Sequence, residues 1–216
     1  MSTQLNLKEI ERKAFRSTYQ DGLVDICISS VVGSMALLMF IVVRDDFPWL
    51  YLVLAFLGIC AGQLVFWAGK KFVTLPRMGQ VKFGEIRRKR KKTLALIVAV
   101  VVLIQVGIVL LTAGAWVIPA WGDKLQELFP DRGATVLLVA AVGALFVGPS
   151  MMAVAYFIDF PRGYYIALVM TLGVFLMIWF WQPLIQVGAA ILILIPGLVL
   201  FVRFLRQYPL IPAGEQ

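Results

Sequence analysis

The chain has 216 residues, of which 61% are hydrophobic and only 15% are charged. Soluble domains are typically about 45–50% apolar and about 25% charged, and a chain of this length cannot enclose so much apolar surface in one core. The composition therefore excludes a soluble globular domain. It predicts an all-α polytopic transmembrane bundle, because a lone strand in lipid would leave its backbone polar groups unpaired.

The residue types narrow the chemistry further. The sequence contains no His, which removes the commonest general acid–base group, metal ligand and haem ligand. Cys27 and Cys60 lie inside apolar runs without paired spacing, and we interpret them as packing residues. The net charge of +8 lies beside apolar spans, so we expect anionic lipid headgroups rather than nucleic acid as its partner. No catalytic residue, metal site or cofactor is predicted.

Residues 1–20 predict an amphipathic cytoplasmic helix ahead of the first span. Asn6 and Glu9 resemble a capping box. Leu7 and Ile10 begin an apolar stripe along the helix, and basic residues occupy its other faces. Such a helix can lie in the headgroup plane or pack on other cytoplasmic parts of the protein.

Six apolar spans follow, each close to the roughly 20 residues that cross a hydrocarbon core of about 30 Å. Together they form one transmembrane domain over residues 21–206, followed by a short C-terminal tail at 207–216. The predicted spans are 23–43, 47–69, 93–120, 134–158, 164–181 and 183–202.

The loop between the second and third spans, 70–92, fixes the predicted orientation. It contains ten of the twenty Lys and Arg residues and one acid, Glu85. Basic loops stay on the cytoplasmic side. Six spans with both termini inside a cytoplasmic (inner) membrane leave only three basic residues on the outer side: Arg44, Lys124 and Arg132.

The basic residues of this loop are also the predicted binding site for lipid or a partner. Each Lys or Arg near an anionic surface contributes about 1 kcal/mol, so a cluster of this size can hold the loop on the headgroups. A plain topology anchor is the alternative, and the two interpretations are compatible. The site consists of Arg77, Lys82, Arg87, Arg88, Lys89, Arg90, Lys91 and Lys92.

Three acids lie at predicted inner ends of spans. Asp21 and Asp25 are one helical turn apart at the start of the first span. They form a proton or cation site, or else Asp21 caps the helix and Asp25 lies favourably near its positive end. Asp25 could also pair with Arg77 or Arg162 at the same depth. Asp159, shortly before Arg162, makes a local ion pair, caps a turn or contacts a substrate.

Polar side chains inside the spans are few, and no charged residue lies near a span centre. This argues against a proton pump, a voltage sensor or a carrier of charged solutes. Gln63, Gln105 and Gln186 either line a polar path or hydrogen-bond between helices, at about 0.6 kcal/mol each. Gly148-Pro149 and Pro196-Gly197 are either broken helices of a binding site or ordinary kinks.

Small residues predict close helix contacts. Gly58 and Gly62 form a GxxxG motif in the second span, and Ala140, Ala144 and Gly148 repeat at the same spacing in the fourth. Small residues at this spacing let helix backbones approach closely. The motifs are compatible with packing inside one bundle, with a homo-oligomer or with another membrane protein as partner.

Two stretches resemble segments of uncharacterised polytopic integral membrane proteins of bacteria and archaea. They are FVTLPRMGQVKFG at Phe72–Gly84 and IERKAFRSTYQDGLVD at Ile10–Asp25. The resemblance implies a multi-pass membrane protein and no assigned activity.

The sequence favours a non-enzymatic accessory or interaction role, in which the basic loop engages anionic lipid or a partner. The alternative is a small permease, or a substrate-binding membrane component, for a neutral or apolar solute. A lipid-modifying enzyme ranks third. Neither a substrate nor a partner is identified by any motif.

Overall fold

The computed structural model describes residues 19–43, 48–78, 92–97, 99–101, 103–104, 107 and 132–209. Every regular element within these ranges is helical, which confirms the all-α prediction. The elements are α1 (Leu23–Val43), α2 (Pro48–Ala68), a π-helical turn (Gly69–Thr74), α3 (Leu75–Met78), α4 (Arg132–Phe157), α5 (Arg162–Phe180) and α6 (Pro183–Gln207).

Five helical stretches are long and apolar enough to cross a membrane, and they coincide with five of the six predicted spans. The start of the remaining span, Lys92–Val101, is helical at each described residue, and most of that span lies outside the described residues. The five apolar helices indicate a multi-pass, membrane-embedded protein. They are Leu23–Ile41, Trp49–Arg77, Thr135–Phe157, Arg162–Phe180 and Pro183–Gln207.

Other predicted features fall wholly or partly beyond the described ranges. The amphipathic helix predicted at 1–20, residues 79–91 of the basic loop and residues 210–216 of the tail lie outside the described residues. The second span differs from its prediction, because helical structure continues past Gly69 through the π-helical turn and α3. The beginning of the segment predicted as loop is therefore helical.

The chain divides into two compact units, one of residues 1–84 and 183–216 and the other of residues 85–182. In the first unit, α1 packs between α2 and α6. The hydroxyl of Ser30 on α1 donates a hydrogen bond of 2.6 Å to the carbonyl of Gly58 on α2. A Cβ atom at Gly62 would lie only 2.7 Å from the Ser30 side chain, so this GxxxG motif serves packing within the chain.

The second unit contains the helical hairpin of α4 and α5. Ala140, Ala144 and Gly148 are buried along α4. A Cβ atom at Gly148 would lie 2.6 Å from the hydroxyl of Thr171 on α5, so the predicted small-residue stripe includes a close helix contact. Both α4 and α6 continue through their internal prolines, Pro149 among them, which matches a tolerated proline rather than a broken helix.

Candidate functional site

A fully buried carboxylate lies in the first unit, where α1 begins and α2 ends. Asp21 has no solvent exposure, and its Oδ1 atom accepts a hydrogen bond of 3.3 Å from the backbone N–H of Leu23. The first N–H groups of a helix have no partner within the helix, and a carboxylate placed just before it satisfies one of them. Because Leu23 is the first residue of the helix, Asp21 lies one residue before the N-cap position, and its contact is a local turn across two residues.

The second oxygen of the same carboxylate binds two side chains from the π-helical turn. Asp21 Oδ2 lies 2.6 Å from the ammonium nitrogen of Lys70 and accepts a hydrogen bond of 2.7 Å from the hydroxyl of Thr74. The Lys70 side chain is 19% exposed, so the ion pair is largely shielded from solvent. We call these three residues the Asp21 cluster. It joins the start of α1 to the end of the second span.

The π-helical turn explains how two residues four positions apart reach one carboxylate. The backbone N–H of Leu75 donates to the carbonyl of Lys70, five residues earlier, instead of four as in an α-helix. Each turn thus holds about one residue more, and residues four apart lie closer to one another around the helix axis. Single π-helical turns within α-helices are frequent at functional sites.

Three glycines let the helices approach each other around the cluster. Gly22 has a φ of +74°, and a Cβ atom there would overlap the carbonyl oxygen of Gly197 on α6. A Cβ atom at Gly197 would lie 2.8 Å from that of Asp25, and one at Gly69 would lie 2.7 Å from the Leu23 side chain. The position of Asp21 therefore depends on close contacts of the start of α1 with α6 and with the π-helical turn.

The next cation along the chain is in a different environment. Lys71 is exposed, and its ammonium nitrogen lies 4.8 Å from the ring centroid of Trp67 and 5.4 Å from that of Phe72. The Trp67 ring is 57% exposed and the Phe72 ring 64% exposed. Exposed aromatic rings next to a lysine at the end of an apolar helix are typical of a membrane–water interface.

The structure separates the remaining predicted residues into several environments. Asp25 is 2% exposed and lies one turn after Asp21, beside α6. Arg77 is partly buried on α3, and no described residue hydrogen-bonds to its Nε or Nη1 atom. In the second unit, Asp159 adopts a φ of 54° in the turn between α4 and α5. The guanidinium of Arg162 lies 5.2 Å from the centroid of the Phe160 ring.

The glutamines also differ from one another. Gln63 is exposed on α2, whereas Gln186 on α6 is fully buried. Neither the oxygen nor the nitrogen of the Gln186 amide has a hydrogen-bond partner in the described part of the chain. Gln105 lies outside the described residues.

Most of the predicted lipid or partner site is likewise outside the described residues. This applies to Lys82 and to residues 87–91, while Lys92 is an exposed residue at the start of a helical stretch. Within the described ranges, no group of three or more His, Cys, Asp or Glu side chains could hold a metal ion.

No sequence pattern predicts the contribution of Lys70 and Thr74. Lys70 is one of the ten cations of the predicted basic loop, and Thr74 belongs to no motif. No local pattern links them to a carboxylate that precedes them by about fifty positions.

Comparison with protein-family models, with curated proteins and with solved structures found no match for this chain.

Proposed function

We propose that the protein is a non-enzymatic, multi-pass protein of the cytoplasmic membrane with both termini inside the cell. In this proposal its basic segment, residues 70–92, binds anionic lipid headgroups at the inner surface. The observation that carries the proposal is the contrast between two adjacent lysines, because Lys70 is paired with buried Asp21 while Lys71 is exposed among exposed aromatic rings.

In this proposal the contrast marks the position along the second helical span at which the membrane surface lies. The rings of Trp67 and Phe72 are exposed on either side of the first lysines of the segment, near the end of α2, as expected for an interfacial aromatic belt. Cations that follow this belt then begin at the depth of the headgroups. The Asp21 cluster supports the same role, because it fixes the start of the basic segment to α1.

The number of cations is sufficient for stable contact with an anionic surface. The segment contains ten basic residues, and Lys70 is paired with Asp21. Each Lys or Arg that faces an anionic membrane contributes about 1 kcal/mol, and the attraction decays over about 10 Å at 0.1 M salt. We therefore expect a preference for anionic lipid that weakens as salt is added.

The experiment compares two triple substitutions of equal charge in the full chain, reconstituted in vesicles of phosphatidylglycerol and phosphatidylcholine. Replacing Lys89, Arg90 and Lys91 with Gln should reduce the retention of spin-labelled phosphatidylglycerol at least about fivefold, since more than 1 kcal/mol of attraction is removed. The matched control replaces the predicted outer residues Arg44, Lys124 and Arg132 with Gln.

Equal lipid preferences in the wild type and both variants would refute headgroup binding by the segment. Orientation is tested separately with Glu85→Cys in a chain whose native cysteines are replaced by Ala. Labelling of this cysteine by an impermeant reagent added outside intact cells would refute the proposed topology.

A second candidate is a small permease for a neutral solute, and it is favoured by Gln186. A fully buried amide with no hydrogen-bond partner among the described residues is able to donate to and accept from a small solute or water. A permease of this kind requires the Gln186 amide for solute flux, whereas a protein that only binds lipid headgroups does not require it.

A further inference from the structure

A cavity lies against the C-terminal part of α6. It has a volume of about 440 Å³, and the described residues that line it are Leu198, Val199, Val202, Arg203 and Arg206. Residues at this spacing fall along one side of a helix. The described lining is therefore one side of α6, apolar at first and cationic towards its end, and we call this surface the groove.

The apolar part of the groove is exposed rather than packed. Leu198, Val199 and Val202 are 45%, 61% and 47% exposed, whereas Gly197 and Phe204 are buried. The groove spans about 12 Å along the helix axis, at 1.5 Å per residue. That length covers the thickness of a headgroup layer and continues into the hydrocarbon region.

The cationic part consists of two exposed arginines at the end of the helix. Neither Arg203 nor Arg206 forms an ion pair within the described ranges. A guanidinium group presents a planar set of donors that matches the oxygens of a phosphate, and two such groups on adjacent turns can bind the same phosphate. The groove thus combines the two kinds of surface that a phospholipid requires.

We infer that this groove binds one anionic phospholipid, with its phosphate between Arg203 and Arg206 and an acyl chain along Leu198, Val199 and Val202. Charge complementarity and the continuous apolar floor both favour a lipid over a soluble phosphate. A second copy of the chain is a poor occupant of this surface, because a twofold contact would place the same arginines against each other.

This site does not depend on the basic segment at 70–92. The two surfaces share no residue, so the charge substitutions in one leave the other intact. Failure of the proposed headgroup binding by the segment and failure of the groove on α6 are therefore distinguished by separate variants of the full chain.

The test measures how strongly the reconstituted protein retains spin-labelled phosphatidylglycerol relative to phosphatidylcholine. Replacing Arg203 and Arg206 with Gln should weaken the preference by about fivefold per arginine, whereas replacing both with Lys should retain much of it. Because the loss of charge alone could act without a groove, a second variant fills the cavity: Val202→Trp should displace the lipid with both arginines present. Its control is Leu184→Trp, at a position that is 58% exposed, does not line the groove and lies 18 residues earlier, about 27 Å away at the opposite end of the same helix.

The outcomes separate a groove from general surface charge. Loss of the preference in the double Gln variant and in Val202→Trp, but not in Leu184→Trp, supports the site. An unchanged preference in Val202→Trp would overturn it, as would an equal loss in Leu184→Trp, since the effect would then not come from the groove. If the double Gln variant does not fold, the comparison of the two Trp variants decides the question.

Discussion

Two polar side chains in the first unit are equally buried but differ in their surroundings. Asp21 and Gln186 both have no solvent exposure. The carboxylate binds Lys70, Thr74 and the backbone of Leu23, whereas the amide has no hydrogen-bond partner among the described residues. The charged residue is therefore the better accommodated of the two. Burial alone does not show whether a polar group stabilises a membrane bundle, because its contribution to the free energy of unfolding depends on its hydrogen-bond and ion-pair partners.

The largest expected effect is the loss of the partnered carboxylate. Asp21→Leu leaves the Lys70 ammonium without its ion-pair partner in a mostly buried position, and breaking a buried pair in this way typically removes about 3–5 kcal/mol of stability. We expect the lower end of this range, since Lys70 is still 19% exposed. The free energy of unfolding in mixed detergent micelles is the quantity to measure.

The control for this variant is Lys71→Met, which removes an exposed cation one position away and should change stability by about 0.5 kcal/mol or less. The double variant Asp21→Leu with Lys70→Met should recover part of the loss. Equal effects of Asp21→Leu and Lys71→Met would show that the ion pair contributes no special stability.

An intermediate effect is expected where backbone contacts hold the carboxylate in place. Gly22→Ala introduces a side chain at a φ of +74° and against the carbonyl of Gly197, which should remove about 1–3 kcal/mol of stability. Gly188→Ala on α6 is the matched control, because a Cβ atom there would meet nothing within 4 Å. An alanine in a helix is favoured over glycine by up to about 1 kcal/mol, so this control should be neutral or stabilising. A similar loss in both variants would contradict the close approach of α1 and α6.

The smallest effect is expected at the amide without a partner. Gln186→Met keeps the side-chain length and removes two buried groups that make no hydrogen bond with the described residues, so stability should stay equal or rise by about 1 kcal/mol. Glycerol flux into proteoliposomes is measured on the same variant. A clear loss of stability would show that the amide is bonded in the membrane, and a loss of flux with unchanged stability would favour the permease over the anchor.

The sequence predicts the parts of this unit that depend on local patterns. Apolar length locates the spans at α1, α2 and α6, and Gly58 with Gly62 predicts that α2 makes a close helix contact, without naming its partner. Asp21 directly precedes an apolar run, and its carboxylate contacts the backbone of Leu23 at the start of α1. Each of these features follows from residues that are neighbours along the chain.

What could not be predicted is the choice of partners. Lys70 and Thr74 meet Asp21 only because α1 and α2 are antiparallel and because a π-helical turn lies at the end of α2. The basic segment contains ten Lys and Arg residues of the same charge, so the sequence alone does not indicate which of them pairs with an acid. For the same reason the sequence predicts the second span only as far as Gly69, because a lysine indicates the end of an apolar run unless its ion-pair partner is known.

The π-helical turn at Gly69–Thr74 has a geometric consequence for everything that follows it. One residue more in a turn rotates the downstream chain by about 100° around the helix axis compared with an uninterrupted α-helix. Removing a single residue from this turn would keep every cation of the segment that follows yet aim α3 in another direction. The number of residues in this turn therefore sets the direction in which the chain leaves the helix, whatever the charge of the residues that follow.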